Sequence, residues 1–313
     1  MPTDLNQPVL LGGLEQKILV RGSDPANPLL LVLHGGPGFA EMPLFTTYNG
    51  DLEQHFLVAH WDQRGAGRSY AADIPPESMT LRQFVADALE LIDWLTDHFG
   101  QEKAYLLGHS WGSLLGATLA AERPEMFHAY VGVGQFVAGL RNEQASYAFT
   151  LRKAIELGDD EAVRALRAIE DRYASGGRLT FADLVVQRGW LDRFGGTVHG
   201  DIAALFERVP LKLRQEYFGE LLGIAQQFSF GHLMPELLAT DLHQTARTFD
   251  IPVHLVIGRH DQTTPAELAV EYFNAIEAPA KQLHWFDHSA HMPPFEEPAK
   301  FNALLATLAV LET

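Results

Sequence analysis

The stretch AYLLGHSWGSLLGATLA, residues 104–120, decides the fold. Its first four residues form an apolar run that suits a short buried strand, and the run from Trp111 onward is typical of a helix. Between the two runs, Ser110 is flanked by Gly108 and Gly112. Glycine weakens both strands and helices, so two glycines here indicate a turn with close backbone approach. The stretch therefore predicts a strand, a sharp turn that presents a serine, and a helix.

Strand and helix signals alternate on both sides of this stretch. The run from Leu81 to Phe99 repeats apolar residues at helical spacing, with Thr80 as its capping residue and Gly100 as its stop. Because strands that alternate with helices form parallel sheets, the pattern predicts a doubly wound α/β fold. The apolar runs that predict strands lie at 29–33, 56–62, 104–108, 129–134, 251–258 and 281–286.

The alternation stops in the middle of the chain. Helical patterns dominate between residues 138 and 247, and no convincing strand pattern interrupts them. We therefore predict a mostly parallel α/β core built from residues 1–137 and 248–313, with residues 138–247 inserted as a helical cap.

Composition excludes several classes of function. The chain has 313 residues with 40 acidic and 23 basic side chains, a formal charge of −17. Such a surface repels phosphate groups, which argues against nucleic-acid and membrane-surface partners. The chain contains no cysteine, so thiolate catalysis is excluded. The N-terminus does not resemble a signal peptide and no run approaches a membrane span, so we predict a cytoplasmic protein.

No cofactor or metal is predicted. The sequence contains neither a phosphate-binding loop nor a Gly-x-Gly-x-x-Gly pattern. Three histidines, His284, His288 and His291, lie close together in sequence, but no His-Glu-x-x-His motif accompanies them. The partner that the sequence predicts is a small-molecule or short-peptide substrate.

The residues 108–112 match the pattern Gly-x-Ser-x-Gly between a strand and a helix. In that context the serine sits on a strained turn, with its hydroxyl exposed as a nucleophile. The backbone N–H of Trp111 then points at the developing oxyanion. A second donor is expected from Gly36 in the loop HGGPG, residues 34–38, where glycines let the backbone approach a substrate. The alternative is a tight turn with an incidental serine.

A serine nucleophile needs a base, and the base needs an orienting acid. Asp261 follows a predicted strand, where catalytic groups lie in parallel sheets. It could also cap the helix that begins near Pro265. His288 and His291 both follow the last predicted strand, and either could be the base.

With these residues in hand, the chain resembles the α/β-hydrolases of the proline iminopeptidase family. The resemblance implies an α/β-hydrolase fold with Ser110 as nucleophile, Asp261 as acid and His291, rather than His288, as base. Arg64 and Arg68 are expected in structural ion pairs. The motifs that carry the resemblance are HGGPG (34–38), WDQRGAGRS (61–69), GHSWGSLLG (108–116), GRHDQTTP (258–265) and SAHMPPFEEP (289–298).

The substrate is less well specified, because the Trp-Glu-rich cap motif of that family is not found here. Phe39 and Glu41 follow HGGPG and are expected to shape the pocket. Trp190 stands alone in the cap, and Phe228 either lines an apolar pocket or packs inside the cap. The resemblance implies a cap carboxylate that binds a substrate amine. For each candidate the alternative is a place on a solvated helix face; the candidates are Glu207, Glu216, Glu220 and Glu236.

These features predict a serine hydrolase, and the resemblance implies an aminopeptidase that releases an N-terminal prolyl or small apolar residue from short peptides or amides. A carboxylesterase or lactonase acting on small esters is the alternative within the same chemistry. A non-catalytic ligand-binding protein on the same fold is the alternative from another class.

Overall fold

The computed structural model describes residues 1–175 and 179–311, and in these residues the chain folds around an eight-stranded sheet. The strand order is β1-β2-β4-β3-β5-β6-β7-β8. The pairs β1/β2 and β2/β4 are antiparallel, and the other pairs are parallel. The strands are β1 (Thr3–Leu11), β2 (Leu14–Gly22), β3 (Leu29–Leu33), β4 (Leu57–Asp62), β5 (Ala104–His109), β6 (Phe127–Val133), β7 (Val253–Gly258) and β8 (Lys281–Phe286).

Helices pack on both faces of the sheet. Before β6 they are α1 (Met42–Tyr48), α2 (Leu81–Phe99) and α3 (Trp111–Glu122); after β7 they are α12 (Ala266–Ala275), α13 (Pro293–Glu296) and α14 (Pro298–Leu311). Between β6 and β7 they are α4 (Gly139–Leu157), α5 (Asp160–Arg167), α6 (Glu170–Ser175), α7 (Phe181–Arg193), α8 (Ile202–Glu207), α9 (Leu211–Phe218), α10 (Glu220–Ala239) and α11 (Leu242–Thr245). Within the described ranges, none of these helices combines the length and apolarity needed to cross a membrane.

The central strands are apolar on both faces because the sheet separates two cores. In β3, Leu29, Leu31 and Leu33 pack in one core, and Leu30 and Val32 pack in the other. A parallel strand with helices on both sides has no solvent face, so its sequence is a continuous apolar run. The predicted doubly wound, mostly parallel α/β sheet is confirmed.

The helices between β6 and β7 form a layer in which α4 to α7 and Met234 of α10 share a core of their own. This layer lies within the interval predicted for the insertion, and we call residues 138–247 the cap. Helix α10 lies directly over the HGGPG loop, where a Cβ on Gly38 would meet the carbonyl oxygen of Ala225 at 2.7 Å. The cap core includes Tyr147, Leu166, Tyr173, Leu184 and Trp190.

Two side-chain contacts join the cap to the core near the end of β4. Tyr217 donates from its hydroxyl to Asp62 at 2.8 Å, and Arg68 forms two hydrogen bonds with Glu216, at 2.6 and 3.0 Å. Burial raises the pKa of Asp62 to about 6, although the Arg68 N–H and the Tyr217 hydroxyl both favour its charged form. These contacts hold helix α9 against the loop that follows β4.

Arg64 and Asp87 form a buried ion pair inside the core. Arg64 Nε and Nη2 each donate to a different Asp87 oxygen at 2.9 Å, and the two side chains are 1% and 0% exposed. Arg64 also donates to the Gly12 carbonyl, so it links the first hairpin to α2. The ion pairs expected for Arg64 and Arg68 are both confirmed.

We expect Arg64→Met to lower the free energy of unfolding by about 3–5 kcal/mol, because it leaves the Asp87 carboxylate buried without its cation. Arg68→Met is the matched control. The side chains of Arg68 and its partner Glu216 are 30% and 35% exposed. Solvent screening therefore limits the expected loss of unfolding free energy to about 1 kcal/mol or less. Urea unfolding of both variants measures the difference. Equal losses of unfolding free energy would contradict a larger role for the buried Arg64–Asp87 pair than for the more exposed pair.

Candidate active site

Ser110 lies on a strained turn between β5 and α3. Its backbone has φ 55° and ψ −119°, and it is the one non-glycine residue with positive φ in the described chain. Its N–H donates to the Val133 carbonyl at 2.9 Å, which fixes the turn against β6. A side chain held in this backbone region is strained, and such strain clusters at functional sites.

The glycines of the motif permit close backbone packing around Ser110. A Cβ on Gly108 would lie 2.2 Å from the Gly112 carbonyl oxygen. A Cβ on Gly112 would lie 2.0 Å from the Leu33 carbonyl oxygen. Both distances are below any real contact, so the first turn of α3 reaches β3 and β5 only because these side chains are missing. The two glycines therefore place the serine at the carboxyl edge of the sheet.

Asp261 and His291 are joined by a hydrogen bond at the same edge. His291 Nδ1 lies 2.9 Å from Asp261 Oδ2, and both side chains are buried. The other oxygen of Asp261 accepts the N–H groups of Thr263 and Thr264, each at 2.9 Å. The Thr264 hydroxyl also donates to Asp261 Oδ2 at 2.9 Å. Asp261 is thereby held in one orientation against the imidazole of His291.

Glu296 holds the loop that carries His291. Its Oε2 accepts the N–H groups of Ala290 and Met292, at 2.9 and 3.1 Å, and its Oε1 accepts the N–H of His199 at 2.6 Å. Burial raises the pKa of Glu296 to about 7 in spite of these donors. His288, by contrast, is exposed on the same loop.

The HGGPG loop is braced by Gln63, which follows β4. The Gln63 N–H donates to His34 Nε2 at 3.0 Å, and the Gln63 amide donates to the His34 carbonyl at 3.1 Å. Its amide oxygen accepts the indole N–H of Trp111 at 2.8 Å. Burial lowers the pKa of His34 to about 4, so this ring stays neutral and accepts that bond. Gln63 therefore connects the two predicted oxyanion segments.

A cavity with two lobes opens beside Ser110. Gly36, Ser110 and Arg188 line both lobes. The smaller lobe has a volume of ≈ 80 Å³ and is walled mostly by apolar side chains: Trp111, Phe136, Leu184, Phe230, Met234, Leu237 and Leu238. The larger lobe has a volume of ≈ 280 Å³ and contains His291. This is near the lower end of the roughly 300–1,000 Å³ typical of small-molecule sites, which favours a small substrate.

Two of the four predicted substrate-binding residues line this cavity. Phe39 and Glu41 both face the larger lobe. Trp190 lies elsewhere: it is 9% exposed in the cap core, with Arg193 over its ring at 4.4 Å. Phe228 is not among the described residues that line either lobe, because it packs edge-on against Tyr70 at 5.8 Å.

Phe230 takes the place predicted for Phe228, since it lines both lobes. Successive helical residues are about 100° apart, so Phe228 and Phe230, two residues apart on α10, face nearly opposite directions. Because α10 carries apolar residues on all sides, its sequence does not indicate which phenylalanine faces the cavity.

Glu143 and Arg188 are cavity residues that the sequence interpretation missed. Arg188 Nη2 lies 2.7 Å from Glu143 Oε1, and both residues line the smaller lobe. The four glutamates that were considered instead lie elsewhere: Glu216 pairs with Arg68, Glu236 accepts the Leu81 N–H, and Glu207 and Glu220 are exposed. A weak signal existed, because Arg188 and Asp192 share a face of α7 and Asp192 lines the larger lobe.

Relatives of the chain are hydrolases and peptidases by name. It is 33% identical over 297 residues to a probable aminopeptidase, YbaC, of Bacillus subtilis (strain 168), covering 93% of this chain and 92% of that protein. It is 24% identical to a proline iminopeptidase of Heyndrickxia coagulans over 88% of each chain. The predicted resemblance to α/β-hydrolases of the proline iminopeptidase type is confirmed.

Solved structures share the fold. The crystal structure of VinJ superposes with a TM-score of 0.73 at 20% identity and covers 100% of both chains. The proline iminopeptidase of Mycobacterium smegmatis superposes with a TM-score of 0.69 at 20% identity, covering 98% of this chain and 97% of that one. At this identity the likeness concerns the fold alone.

A family model described as alpha/beta hydrolase fold matches residues 28–298, which include every strand from β3 to β8 and all of the residues around the cavity. This match confirms the hydrolase class that the sequence predicts. By this match and by its 33% identity to a relative over nearly its whole length, the chain belongs to the alpha/beta hydrolase family.

Proposed function

We propose that the chain is a serine aminopeptidase that releases a prolyl or small apolar residue from the N-terminus of short peptides and amides. Ser110 is the nucleophile, His291 the general base and Asp261 the orienting acid. The observation that carries the aminopeptidase assignment is a buried carboxylate oxygen of Glu143 that has no hydrogen-bond partner in the described chain. Glu143 itself lines the lobe beside Ser110.

The hydrogen bonds around His291 support its proposed role as the general base. Nδ1 is engaged by Asp261, so Nε2 is the nitrogen left to take the proton from Ser110. Attack on the carbonyl gives a tetrahedral oxyanion, for which the N–H groups of Gly36 and Trp111 are the proposed donors. Trp111 begins α3, where the N–H groups lack partners inside the helix. His291 then protonates the leaving amine, and water hydrolyses the acyl-enzyme.

Glu143 is the proposed receptor for the substrate's α-ammonium group. Its side chain is 11% exposed, and Arg188 engages one of its oxygens. The other oxygen, Oε2, is buried without a donor among the described residues. A buried acceptor without a donor is costly, and a charged N–H donor from the substrate would remove that cost.

The volumes of the two lobes support the same orientation of substrate. An α-ammonium group belongs to the residue on the acyl side of the scissile bond, so its binding to Glu143 places that residue in the smaller lobe. That lobe is apolar and has a volume of ≈ 80 Å³, which suits one small residue. The leaving peptide or amide then occupies the larger lobe, beside Phe39 and Phe206.

An esterase or lactonase is the second candidate, and one observation favours it. Arg188 already neutralises Glu143, so the charge of the smaller lobe is balanced without a substrate amine. A neutral acyl group of a small ester would then fit the apolar wall of the lobe. The names of the relatives, probable aminopeptidase and proline iminopeptidase, support the first candidate.

We expect Glu143→Gln to lower kcat/KM for proline p-nitroanilide by about 10- to 100-fold, the value of a charged hydrogen bond. Hydrolysis of p-nitrophenyl acetate, which has no amine, is expected to change by less than about threefold. Glu236→Gln is the matched control, because Glu236 is an exposed cap glutamate outside the cavity.

Three results would decide between the candidates. Cleavage of the free-amine anilide but not of its N-acetyl form supports the aminopeptidase. Equal cleavage of both forms contradicts the requirement for a free α-amine, and turnover of the ester alone contradicts the aminopeptidase and supports the esterase. Failure of a fluorophosphonate to label Ser110 would contradict both and leave the non-catalytic binding protein.

A further inference from the structure

His109 is a buried histidine of the nucleophile motif that the proposed reaction does not use. It ends β5, directly before Ser110, and it is 1% exposed. Its Nδ1 lies 2.7 Å from Glu41 Oε1, and its Nε2 lies 2.8 Å from the backbone carbonyl oxygen of His291. Both ring nitrogens therefore face oxygen acceptors.

The two contacts specify the protonation state of His109. A neutral imidazole carries one N–H, so it would leave one ring nitrogen with its lone pair directed at an acceptor. An imidazolium has two N–H groups and satisfies both acceptors. Burial alone lowers the pKa of His109, but the charge and hydrogen bond of Glu41, the His291 carbonyl and the Asp261 charge together raise that pKa.

Glu41 carries the connection to the HGGPG loop. Its second oxygen, Oε2, accepts the N–H of Gly35 at 2.9 Å. Gly35 immediately precedes Gly36, the proposed oxyanion donor. A continuous chain of hydrogen bonds thus runs from the backbone of the HGGPG loop through Glu41 and His109 to the backbone of His291.

We propose that Glu41 and an imidazolium at His109 form a clamp that fixes the backbone of His291 relative to the oxyanion loop. Both are positioning residues, and the inference rests on the proposed role of His291 as general base. Glu296 holds the N–H groups on either side of His291, and His109 holds its carbonyl. The segment is therefore held from two directions by hydrogen bonds to the side chains of Glu296 and His109.

Four titratable or charged groups face His109: Glu41, Asp261, His34 and His291. The two carboxylates favour the imidazolium, and His34 is neutral because burial lowers its pKa to about 4. The clamp is therefore expected to lose one hydrogen bond when His109 deprotonates, at a pH above the ordinary pKa of a histidine.

The first test is the protonation of His109, read from the ¹⁵N shifts of its ring in the full-length protein at pH 7 to 8. Both nitrogens are expected to be protonated in the wild type. In Glu41→Gln the amide can donate to Nδ1, so His109 is expected to be neutral with its proton on Nε2. A neutral His109 in the wild type would overturn the proposal.

The second test is kinetic. His109→Leu is expected to lower kcat for p-nitrophenyl acetate about a hundredfold, the effect of a misplacement near 1 Å, with KM within about twofold. The rate of fluorophosphonate labelling of Ser110 is expected to fall in parallel. The control is His60→Leu, which also removes a buried histidine; His60 Nδ1 has no partner in the described residues, and kcat is expected to stay unchanged.

A third comparison covers the case in which His109→Leu does not fold. Glu41→Gln preserves a chain of hydrogen bonds with a neutral His109, whereas Glu41→Leu breaks it. We expect the Gln variant to retain about tenfold more kcat than the Leu variant. Equal activity of the two, or His109→Leu within twofold of wild type, would overturn the clamp. Failure of the fluorophosphonate to label Ser110 in the wild type would instead contradict the proposed function. The ¹⁵N measurement does not depend on that function and still tests the clamp.

Discussion

Ser110→Ala is expected to lower kcat by about a millionfold for any substrate that the wild type hydrolyses. The Ser110 hydroxyl oxygen is the proposed attacking atom. Alanine has no hydroxyl, so His291 has no proton to accept and the turn offers no other nucleophile. The residual rate comes from binding and from oxyanion donors, which act without the nucleophile. The measurement is turnover of p-nitrophenyl acetate and of proline p-nitroanilide under identical conditions.

The control for this result is Ser113→Ala, one helical turn farther along α3. Its hydroxyl donates to the Ser110 carbonyl at 2.6 Å and accepts the Phe136 N–H at 2.9 Å, so it supports the turn without facing the reaction. We expect kcat within about tenfold of wild type, on the scale of one neutral hydrogen bond. Retention of more than about 1% of wild-type activity by Ser110→Ala would refute Ser110 as the nucleophile.

Gly112→Ala is expected to lower the free energy of unfolding by about 5 kcal/mol or more, the upper end of single-residue effects. The added Cβ would lie 2.0 Å from the Leu33 carbonyl oxygen. That oxygen belongs to a central strand, so relief requires α3 to move away from β3. Urea unfolding, or the absence of folded protein on expression, measures the loss.

Gly223→Ala is the matched control for that substitution. Gly223 also lies in a helix, α10, and a Cβ there would meet nothing within 4 Å. Alanine is the better helix former, so this variant is expected to gain about 0.5–1 kcal/mol. A Gly112→Ala protein as stable as the wild type would show that α3 does not depend on this close approach.

The core of the fold was predictable because each signal there is local. The stop of α2 at Gly100 follows from its left-handed backbone, φ 66°, and Thr80 accepts the Gln83 N–H as its capping pattern indicates. The first two strands were missed, although Gly12 and Gly13 separate them with positive φ values of 52° and 78°. A two-glycine turn of this kind is a hairpin signal. It lies before residue 29, where the first predicted strand begins.

The cap was harder to predict, for a physical reason. Glu143 lies on α4 and Arg188 on α7, 45 positions apart, and their contact depends on how the two helices pack. No local pattern reports such a crossing. Trp190 and Phe228 were chosen for their aromatic size, which indicates burial but not which cavity, if any, the ring faces. Asp261 and His291 differ because strand ends bring residues to one edge of the sheet whatever lies between them.

The cap leaves the sheet after β6 and returns at β7, and these two strands are hydrogen-bonded neighbours. The entropy cost of joining two fixed ends grows only with the logarithm of the intervening length, about 0.6 kcal/mol for each doubling. Insertions, deletions or whole exchange of the intervening helices therefore leave the strand register, and the residues at the strand ends, nearly undisturbed. The proposed catalytic residues lie outside this insertion, so the cap residues that line the cavity can change in evolution while the proposed catalytic residues keep their places at the strand ends.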